Sequence, residues 1–408
     1  MIPITTPTIG KEELVATAEV LQSGWVSQGP YVTKFEQAFA DYVGGKHACA
    51  VSSCTTALYL ALLAIGVKRG DEVITVSHSF IATASSIRYC GATPVFVDIC
   101  PETLNIDPTL IESAISERTK AILCVHQVGM PCDLPRILDI ASRYGLPVIE
   151  DAACAIGSEI RIGESWQRIG KPHGDIACFS FHPRKVITTG EGGMLTTNNT
   201  DWDRRFRSLR QHCMSVPDTL RHNASEVIFE SYPAIGFNFR MTDIQAAIGC
   251  EQLKRLPGII NRRRELRSRY RSILSQIPGL GLQAEPDWAR STWQSFCVRL
   301  PEESNQRKVM RSMLDAGVAT RRGVMCSHRE AAYPPGTWSC SGNSNHCDCP
   351  GGSCQRLQHS EEAQDTNIIL PLFPGMSFEQ QDEVVNALRD ALHICKTNQR
   401  QILRDPWK

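Results

Sequence analysis

The sequence lacks a long apolar segment, a net charge and a nucleotide-phosphate motif. Its longest apolar run, 57–67, is far shorter than the ~20 residues of a membrane-spanning helix. The 43 basic residues balance the 43 acidic ones, so no overall field attracts nucleic acid or a membrane surface, and neither is an expected partner. Neither a Walker A nor a G-x-G-x-x-G pattern occurs, so nucleotide-phosphate chemistry has no direct support.

A secretory signal is also missing, because the opening segment MIPITTPTIGKEEL lacks a basic region followed by an apolar one. The 17 cysteines are odd in number and most lie in apolar segments. This distribution is typical of small core residues in a reducing compartment rather than of a disulfide framework. We therefore expect a cytoplasmic enzyme. At 408 residues the chain can form one large and one smaller domain.

Short apolar runs alternate with helical patterns through the first half of the chain. The runs are 73–76, 94–98, 121–126, 147–151 and 177–181. Helices are expected between them, for example over 55–66 and from Asp107-Pro108 onward. This alternation predicts an α/β fold, with a mostly parallel sheet covered by helices on both faces. In such folds the functional site lies beyond the carboxyl ends of the strands.

The alternation fades from about residue 258. We expect an N-terminal arm and large domain over 1–257, and a small C-terminal domain over 258–408 with a Cys-rich insert at 338–356. Thr242 and Gln245 form a capping-box pattern that opens a helix, and another helix is expected over 378–392. The basic run 262–271 is typical of a solvated helix face.

Three segments carry residues suited to pyridoxal phosphate (PLP) chemistry. Lys185 lies five residues after Ser180 and precedes a glycine-rich turn, so it can form an imine while the serine meets a phosphate; a solvated surface lysine is the alternative. Asp151 ends an apolar run, where a carboxylate needs a partner such as the PLP ring nitrogen, unless it caps the next helix. The small-residue turn 51–56 opens a helix. The exposed amides at the start of that helix can bind a phosphate, or the turn can serve only as an ordinary N-cap. Together the three segments favour a PLP site.

These motifs resemble sugar aminotransferases of the DegT/DnrJ/EryC/StrS type, within the fold-type I PLP enzymes. The likeness covers nearly the whole chain, through the segments 24–44, 51–62, 77–87, 91–99, 125–134, 149–157, 178–193, 236–249, 328–333 and 370–384. It implies a seven-stranded, mostly parallel sheet in the large domain, a small α+β domain, and PLP as cofactor.

The resemblance also assigns roles to the cofactor-binding residues. Lys185 becomes the Schiff-base lysine and Asp151 the partner of the pyridine nitrogen, both catalytic. The other cofactor contacts are the ring-stacking Phe80, the phosphate-binding Cys54, Thr55 and Ser180, Cys154 near the ring oxygen, and Asn238, which reaches the neighbouring subunit's phosphate. Cys154 departs from the histidine or glutamine common at that position. Asn238 implies a homodimer with shared active sites.

The resemblance implies two substrates, an amino donor that is glutamate or glutamine and a keto-sugar joined to a nucleotide, for amino-sugar biosynthesis. Arg240 is a candidate for the donor carboxylate or for a structural salt bridge. Arg321 and Arg322 are candidates for a diphosphate, because guanidinium groups match phosphate oxygens, or else solvated surface residues. His328 is a candidate for the cavity mouth or an ordinary loop histidine.

Three alternatives stay open. The acceptor can be a ketocyclitol of aminoglycoside type. The protein can be a PLP-dependent sugar dehydratase, but those relatives carry histidine in place of the lysine, so the intact Lys185 disfavours this alternative. It can also be a non-catalytic regulatory homologue. The insert residues Cys340, His346, Cys347, Cys349 and Cys354 can supply zinc ligands. Their spacing lacks the usual C-x-x-C pairs, so we assign no metal site and regard a loop near the active site as the alternative.

Overall fold

The computed structural model describes residues 1–216, 226–340 and 352–404, with the backbone alone over 394–404. Its helices are α1 (Lys11–Ser23), α2 (Pro30–Val43), α3 (Cys54–Ala64), α4 (Ala82–Tyr89), α5 (Pro108–Ala114), α6 (Leu134–Tyr144), α7 (Thr200–Leu209), α8 (Asp243–Leu274), α9 (Gln306–Asp315), α10 (Gln358–Thr366) and α11 (Phe378–Arg404). Its strands are β1 (His47–Val51), β2 (Glu72–Val76), β3 (Thr93–Val97), β4 (Thr119–Val125), β5 (Val148–Asp151), β6 (Glu159–Ile162), β7 (Ser165–Arg168), β8 (Ile176–Ser180), β9 (Gly193–Thr197), β10 (Gly281–Leu282), β11 (Ala289–Arg290), β12 (Phe296–Arg299), β13 (Arg321–Arg322) and β14 (Asn367–Leu370).

A seven-stranded sheet forms the centre of the large domain, in the order β1-β9-β8-β5-β4-β2-β3. Strands β8, β5, β4, β2 and β3 pair in parallel, whereas β9 is antiparallel to both of its neighbours. The five apolar runs noted in the sequence correspond to β2, β3, β4, β5 and β8. They read as continuous apolar runs because helices cover both faces of the sheet. The predicted fold class is confirmed.

The predicted helix starts follow from local capping. The Thr242 hydroxyl accepts a hydrogen bond from the Gln245 amide while the Gln245 side chain caps the Thr242 amide, so the capping box opens α8. The Asp107 carboxylate caps the amide of Thr109 and opens α5. None of the described helices combines the length and the apolar character needed to cross a membrane.

Helix α8 joins the two cores of the molecule. Its residues up to Ile260 pack in the core of the large domain, and Leu266, Tyr270 and Leu274 pack in the second core. The proposed boundary at 257/258 thus falls inside a continuous helix rather than in a linker. The N-terminal arm, which we grouped with the large domain, contacts the small one. The Ile2 amide donates to the Gly317 carbonyl at 2.7 Å, and the Ile2 side chain packs in the second core.

The second core lies around a four-stranded antiparallel sheet of order β10-β12-β14-β13, covered by α9 and α11. The expectation of a wholly solvated basic face on α8 is wrong for Arg263, which is 1% exposed. Its guanidinium donates to the carbonyls of Trp293, Gln294 and Leu372 at 3.1–3.2 Å. Those carbonyls compensate for burying the charge, and burial lowers the pKa of Arg263 to about 10.

Candidate active site

The candidate site lies at the carboxyl ends of β5 and β8, where the sheet topology places it. Asp151 is the last residue of β5 and Ser180 the last of β8, and Lys185 follows in the next loop. A cavity of about 670 Å³ opens there, with Lys185, Cys154 and Phe80 among its lining residues. Three segments far apart in sequence therefore meet at one cavity.

The Asp151 carboxylate is buried and held by two hydrogen bonds. One oxygen accepts from the Thr83 hydroxyl at 2.8 Å, and the other accepts from the Ala153 amide at 3.2 Å. Thr83 is itself buried and contacts the Ser79 hydroxyl at 2.8 Å. No cationic side chain of the described residues forms an ion pair with Asp151. A buried carboxylate in this state lacks the partner that normally offsets its desolvation.

Lys185 faces the cavity from a fixed loop. Its amide donates to the His182 carbonyl at 2.8 Å, and its ammonium nitrogen Nζ lies 3.1 Å from Sγ of Cys154. Burial lowers the pKa of the Lys185 ammonium, but the Cys154 sulfur and the Asp151 carboxylate outweigh burial and raise it above its ordinary value. The amine is therefore positioned for covalent chemistry. It stays protonated as long as the effects of Cys154 and Asp151 on its pKa outweigh the effect of burial.

Phe80 provides an aromatic face at the same cavity. Its side chain is 63% exposed, which is unusual for phenylalanine unless another group covers it. An exposed aromatic ring and a primary amine at one cavity, with a buried carboxylate near the amine that forms no ion pair with a described residue, fit a protonated pyridine ring that carries an aldehyde. The residues present thus fit PLP.

The start of helix α3 lies close to the strand β9. The Ser53 hydroxyl caps this helix by accepting from the Thr56 amide at 3.2 Å. A Cβ atom at Gly193 would lie 2.4 Å from the Ser53 carbonyl carbon, so only glycine allows this approach. Thr55 and Ser180 are half-buried, and burial followed by the Asp151 charge raises the pKa of the buried Cys54 thiol well above its ordinary value. The uncapped amides of the first turn can donate hydrogen bonds to a phosphate.

Cationic side chains also line the cavity. Arg321 and Arg322 of β13 line it, and Arg322 pairs with Glu330 at 3.0 Å. Arg184 also lines it, and the sequence reasoning overlooked this residue. Its position directly before Lys185 was the available signal in the sequence. Thr83, Gln127 and Gln294 were missed as well, because a polar residue in a helix or turn carries no pattern of its own.

Three further residues predicted for the site, His328, Asn238 and Arg240, do not line the cavity in this chain. The structure does not place His328 at the cavity mouth: the residue is buried, its Nδ1 lies 2.6 Å from the Ser77 hydroxyl and its Nε2 lies 3.0 Å from Glu361. Asn238 is exposed and pairs with Gln211 through a backbone bridge. Arg240 is half-buried on the segment before α8.

The Cys-rich insert is only partly within the described residues. Cys340 and Cys354 are described, whereas His346, Cys347 and Cys349 lie outside the described residues. Within the part of the chain that the structure describes, no group of three or more histidine, cysteine or acidic side chains is arranged to hold a metal ion.

Comparison with known proteins agrees with the geometry. The sequence model of the DegT/DnrJ/EryC1/StrS aminotransferase family matches residues 7–389. The chain belongs to this family. The spore coat polysaccharide biosynthesis protein SpsC of Bacillus subtilis (strain 168) is 38% identical over 390 residues, which span 95% of this chain and 96% of SpsC.

Solved structures of the family superpose over nearly the whole chain. The aminotransferase TlmJ from Streptoalloteichus hindustanus is 32% identical, with a TM-score of 0.85 over 97% of this chain and all of TlmJ. Spr1654 from Streptococcus pneumoniae, in its PLP form, is 26% identical, with a TM-score of 0.84 over 97% of this chain and 99% of that one. This family member is therefore a fold-type I, PLP-dependent aminotransferase.

Proposed function

We propose that this enzyme moves an amino group from glutamate or glutamine to a keto-sugar linked to a nucleoside diphosphate, for amino-sugar biosynthesis. The observation that carries the proposal is the Lys185 amine at the cavity, with the buried Asp151 carboxylate close enough for the two charges to interact. The similarity to SpsC, named for polysaccharide biosynthesis, supports a sugar acceptor.

Each residue near the cavity would have a different role in transamination. PLP, when bound, supplies an electron sink for the carbanion formed at the α-carbon of the donor. Asp151 would hold the proton on the ring nitrogen, and Phe80 would cover one face of the ring. Lys185 would tether the cofactor and, once released, would carry a proton from the donor's α-carbon at its Nζ atom. Cys154, 3.1 Å from Nζ, would orient the free amine between these two roles.

The phosphate would be held by the start of α3. We assign Cys54, Thr55 and Ser180 to this role, because unpaired amides and small side chains suit an anion at a helix N-terminus. Asn238 would add a contact from the neighbouring subunit. Arg240 would hold the donor's α-carboxylate, and Arg321 and Arg322 would contact the acceptor's diphosphate at the mouth of the cavity.

A homodimer with shared active sites follows from this assignment. Asn238 follows a segment with three largely exposed apolar side chains, Val227 (85%), Phe229 (92%) and Ile235 (88%). A concentration of exposed apolar residues is typical of an interaction surface. We also propose a cytoplasmic location, since buried thiols such as Cys124, Cys178 and Cys297 are unpaired and suit a reducing compartment.

The experiment that tests the proposal supplies substrates one at a time. Purified holoenzyme mixed with glutamate alone should convert from the PLP to the pyridoxamine spectrum, and a keto-sugar nucleotide should then reverse the change. A ketocyclitol that reverses it while keto-sugar nucleotides do not would favour the aminoglycoside-type acceptor. No response to any amino donor would favour a dehydratase or a non-catalytic homologue. The Asp151→Asn variant should bind the cofactor but lose turnover by about a thousandfold or more, since the uncharged amide cannot keep the ring protonated.

A further inference from the structure

The charged side chains that line the cavity beside Lys185 are all basic. Its described lining residues include Arg184, Lys185, Arg321 and Arg322, and none of them is acidic. Lys185 contacts Cys154, and Arg322 pairs with Glu330. The guanidinium groups of Arg184 and Arg321 form no hydrogen bond or ion pair with any described residue. Two guanidinium groups at the cavity are therefore available to an anionic ligand.

The positive charge of Arg321 disfavours the charge of Arg184. Burial, and then the positive charge of Arg321, lower the pKa of Arg184. An oxyanion bound between the two guanidinium groups would remove this repulsion and restore the lost solvation. A carboxylate suits the position, because the planar fork of arginine pairs with its two oxygens.

The scaffold fixes the starting point of the Arg184 side chain. Its amide donates to Nδ1 of His182 at 3.2 Å, and its carbonyl accepts from Gln294 Nε2 at 2.6 Å. Arg184 is half-buried, whereas Arg321 is exposed. The guanidinium of Arg184 therefore belongs to the deeper part of the cavity, next in sequence to the reacting amine, and Arg321 lies towards solvent.

We propose that Arg184, assisted by Arg321, binds the side-chain carboxylate of an acidic amino donor and makes the enzyme select glutamate over glutamine or alanine. This inference rests on the proposed function. With the α-carboxylate assigned to Arg240, a dicarboxylic donor brings one further anion, and the Arg184–Arg321 pair can receive it. The acceptor's diphosphate, assigned to Arg321 and Arg322, binds only in the second half of the reaction, after the donor has left. Arg184 is thus a specificity residue for the first half of the reaction.

The test measures that half-reaction alone, by the spectral conversion of holoenzyme with glutamate, glutamine or alanine. In Arg184→Gln, the preference for glutamate over alanine, as the ratio of second-order rate constants, should fall by about 30-fold, because one charge-assisted contact is lost. The rate with alanine should stay close to that of the wild type. Arg184→Lys should recover part of the preference. Arg204→Gln, on the exposed face of α7, is the matched control and should change neither rate.

A wild-type experiment covers the case in which Arg184→Gln fails to fold. Glutarate should inhibit the glutamate half-reaction at a lower concentration than valerate, the monocarboxylate of the same length. Equal slowing of glutamate and alanine in Arg184→Gln, or equal inhibition by the two acids, would overturn the inference. Loss of inhibition by a nucleoside diphosphate with an unchanged glutamate rate would assign Arg184 to the acceptor instead. A wild type inert towards every amino donor would refute the proposed function itself.

Discussion

The Nζ atom of Lys185 lies 3.1 Å from Sγ of Cys154. The amine that we propose as the attachment point of the cofactor therefore contacts a thiol. The contact raises the pKa of Lys185 against the effect of burial. It therefore affects how much of the amine is neutral and able to attack a carbonyl.

Replacing Cys154 with alanine should lower the pKa of Lys185. The fraction of neutral amine at a given pH would then rise, and the pH profile of PLP uptake by the apoenzyme should move to lower pH. Stopped-flow uptake measurements over a range of pH would follow this shift. Cys90→Ala, at a half-buried cysteine that the structure does not place at the cavity, is the control. An unchanged profile in Cys154→Ala would show that the thiol does not influence the amine.

The hydrogen bond from Thr83 to Asp151 is expected to support cofactor binding. Thr83→Val keeps the shape of the side chain but removes the donor, so the carboxylate should lose one of its two hydrogen bonds. We expect the affinity for PLP and the turnover each to fall by about tenfold, which is the usual cost of one bond to a charged group. Equilibrium dialysis and steady-state rates would measure both. Thr33→Val, on α2, should leave them unchanged; a similar loss there would point to a general effect on stability.

The buried His78 should make the fold sensitive to acid. Its ring nitrogens have no hydrogen-bond partner among the described residues, and burial lowers its pKa from 6.5 to about 3. The unfolded chain thus takes up a proton below pH 6.5 that the folded chain does not. Folding should therefore lose about 2 kcal/mol from this group between pH 7 and pH 5.

Urea unfolding at these two pH values would test this expectation. The His78→Gln variant should lose less stability on acidification than the wild type, by roughly that amount, even if it is less stable at both pH values. The exposed His359 offers the matched control, His359→Gln. An equal pH dependence in the wild type and His78→Gln would show that His78 does not carry the effect.

Shared active sites can be tested by complementation. Lys185→Ala and Asn238→Ala should each be weakly active or inactive alone. Co-expressed in equal amounts, half of the dimers would be mixed, and each mixed dimer would have one intact site. The activity should then reach about one quarter of the wild-type value for a symmetric two-site dimer. Activity no higher than that of the separate variants would mean that each site is built from one subunit.

The sequence predicts the sheet well because buried parallel strands appear as continuous apolar runs. Asp151 and Ser180 lie at strand ends for the same reason, so their approach to one another follows from topology. The sequence does not predict where α8 passes from the first core to the second. Ile260 packs in one core and Leu266 in the other, but the helix is continuous and its composition does not change between them.

The side-chain network is the part that sequence reasoning could not supply. Thr83 meets Asp151 across 68 residues of sequence, and no local pattern records such a contact. His328 was expected at the cavity mouth from its place in a loop. Its two hydrogen bonds, to Ser77 and Glu361, instead connect segments that only the folded chain brings together. The direction in which Arg184 projects likewise depends on its contacts with His182 and Gln294.

The proposed covalent attachment of the cofactor to Lys185 can be tested directly. Purified protein loaded with PLP would be treated with borohydride, digested and analysed by peptide mass spectrometry. We predict one phosphopyridoxyl group, on the peptide that contains Lys185, and no such peptide in Lys185→Ala. Attachment at a different lysine, or no attachment at all in protein that has bound the cofactor, would contradict it.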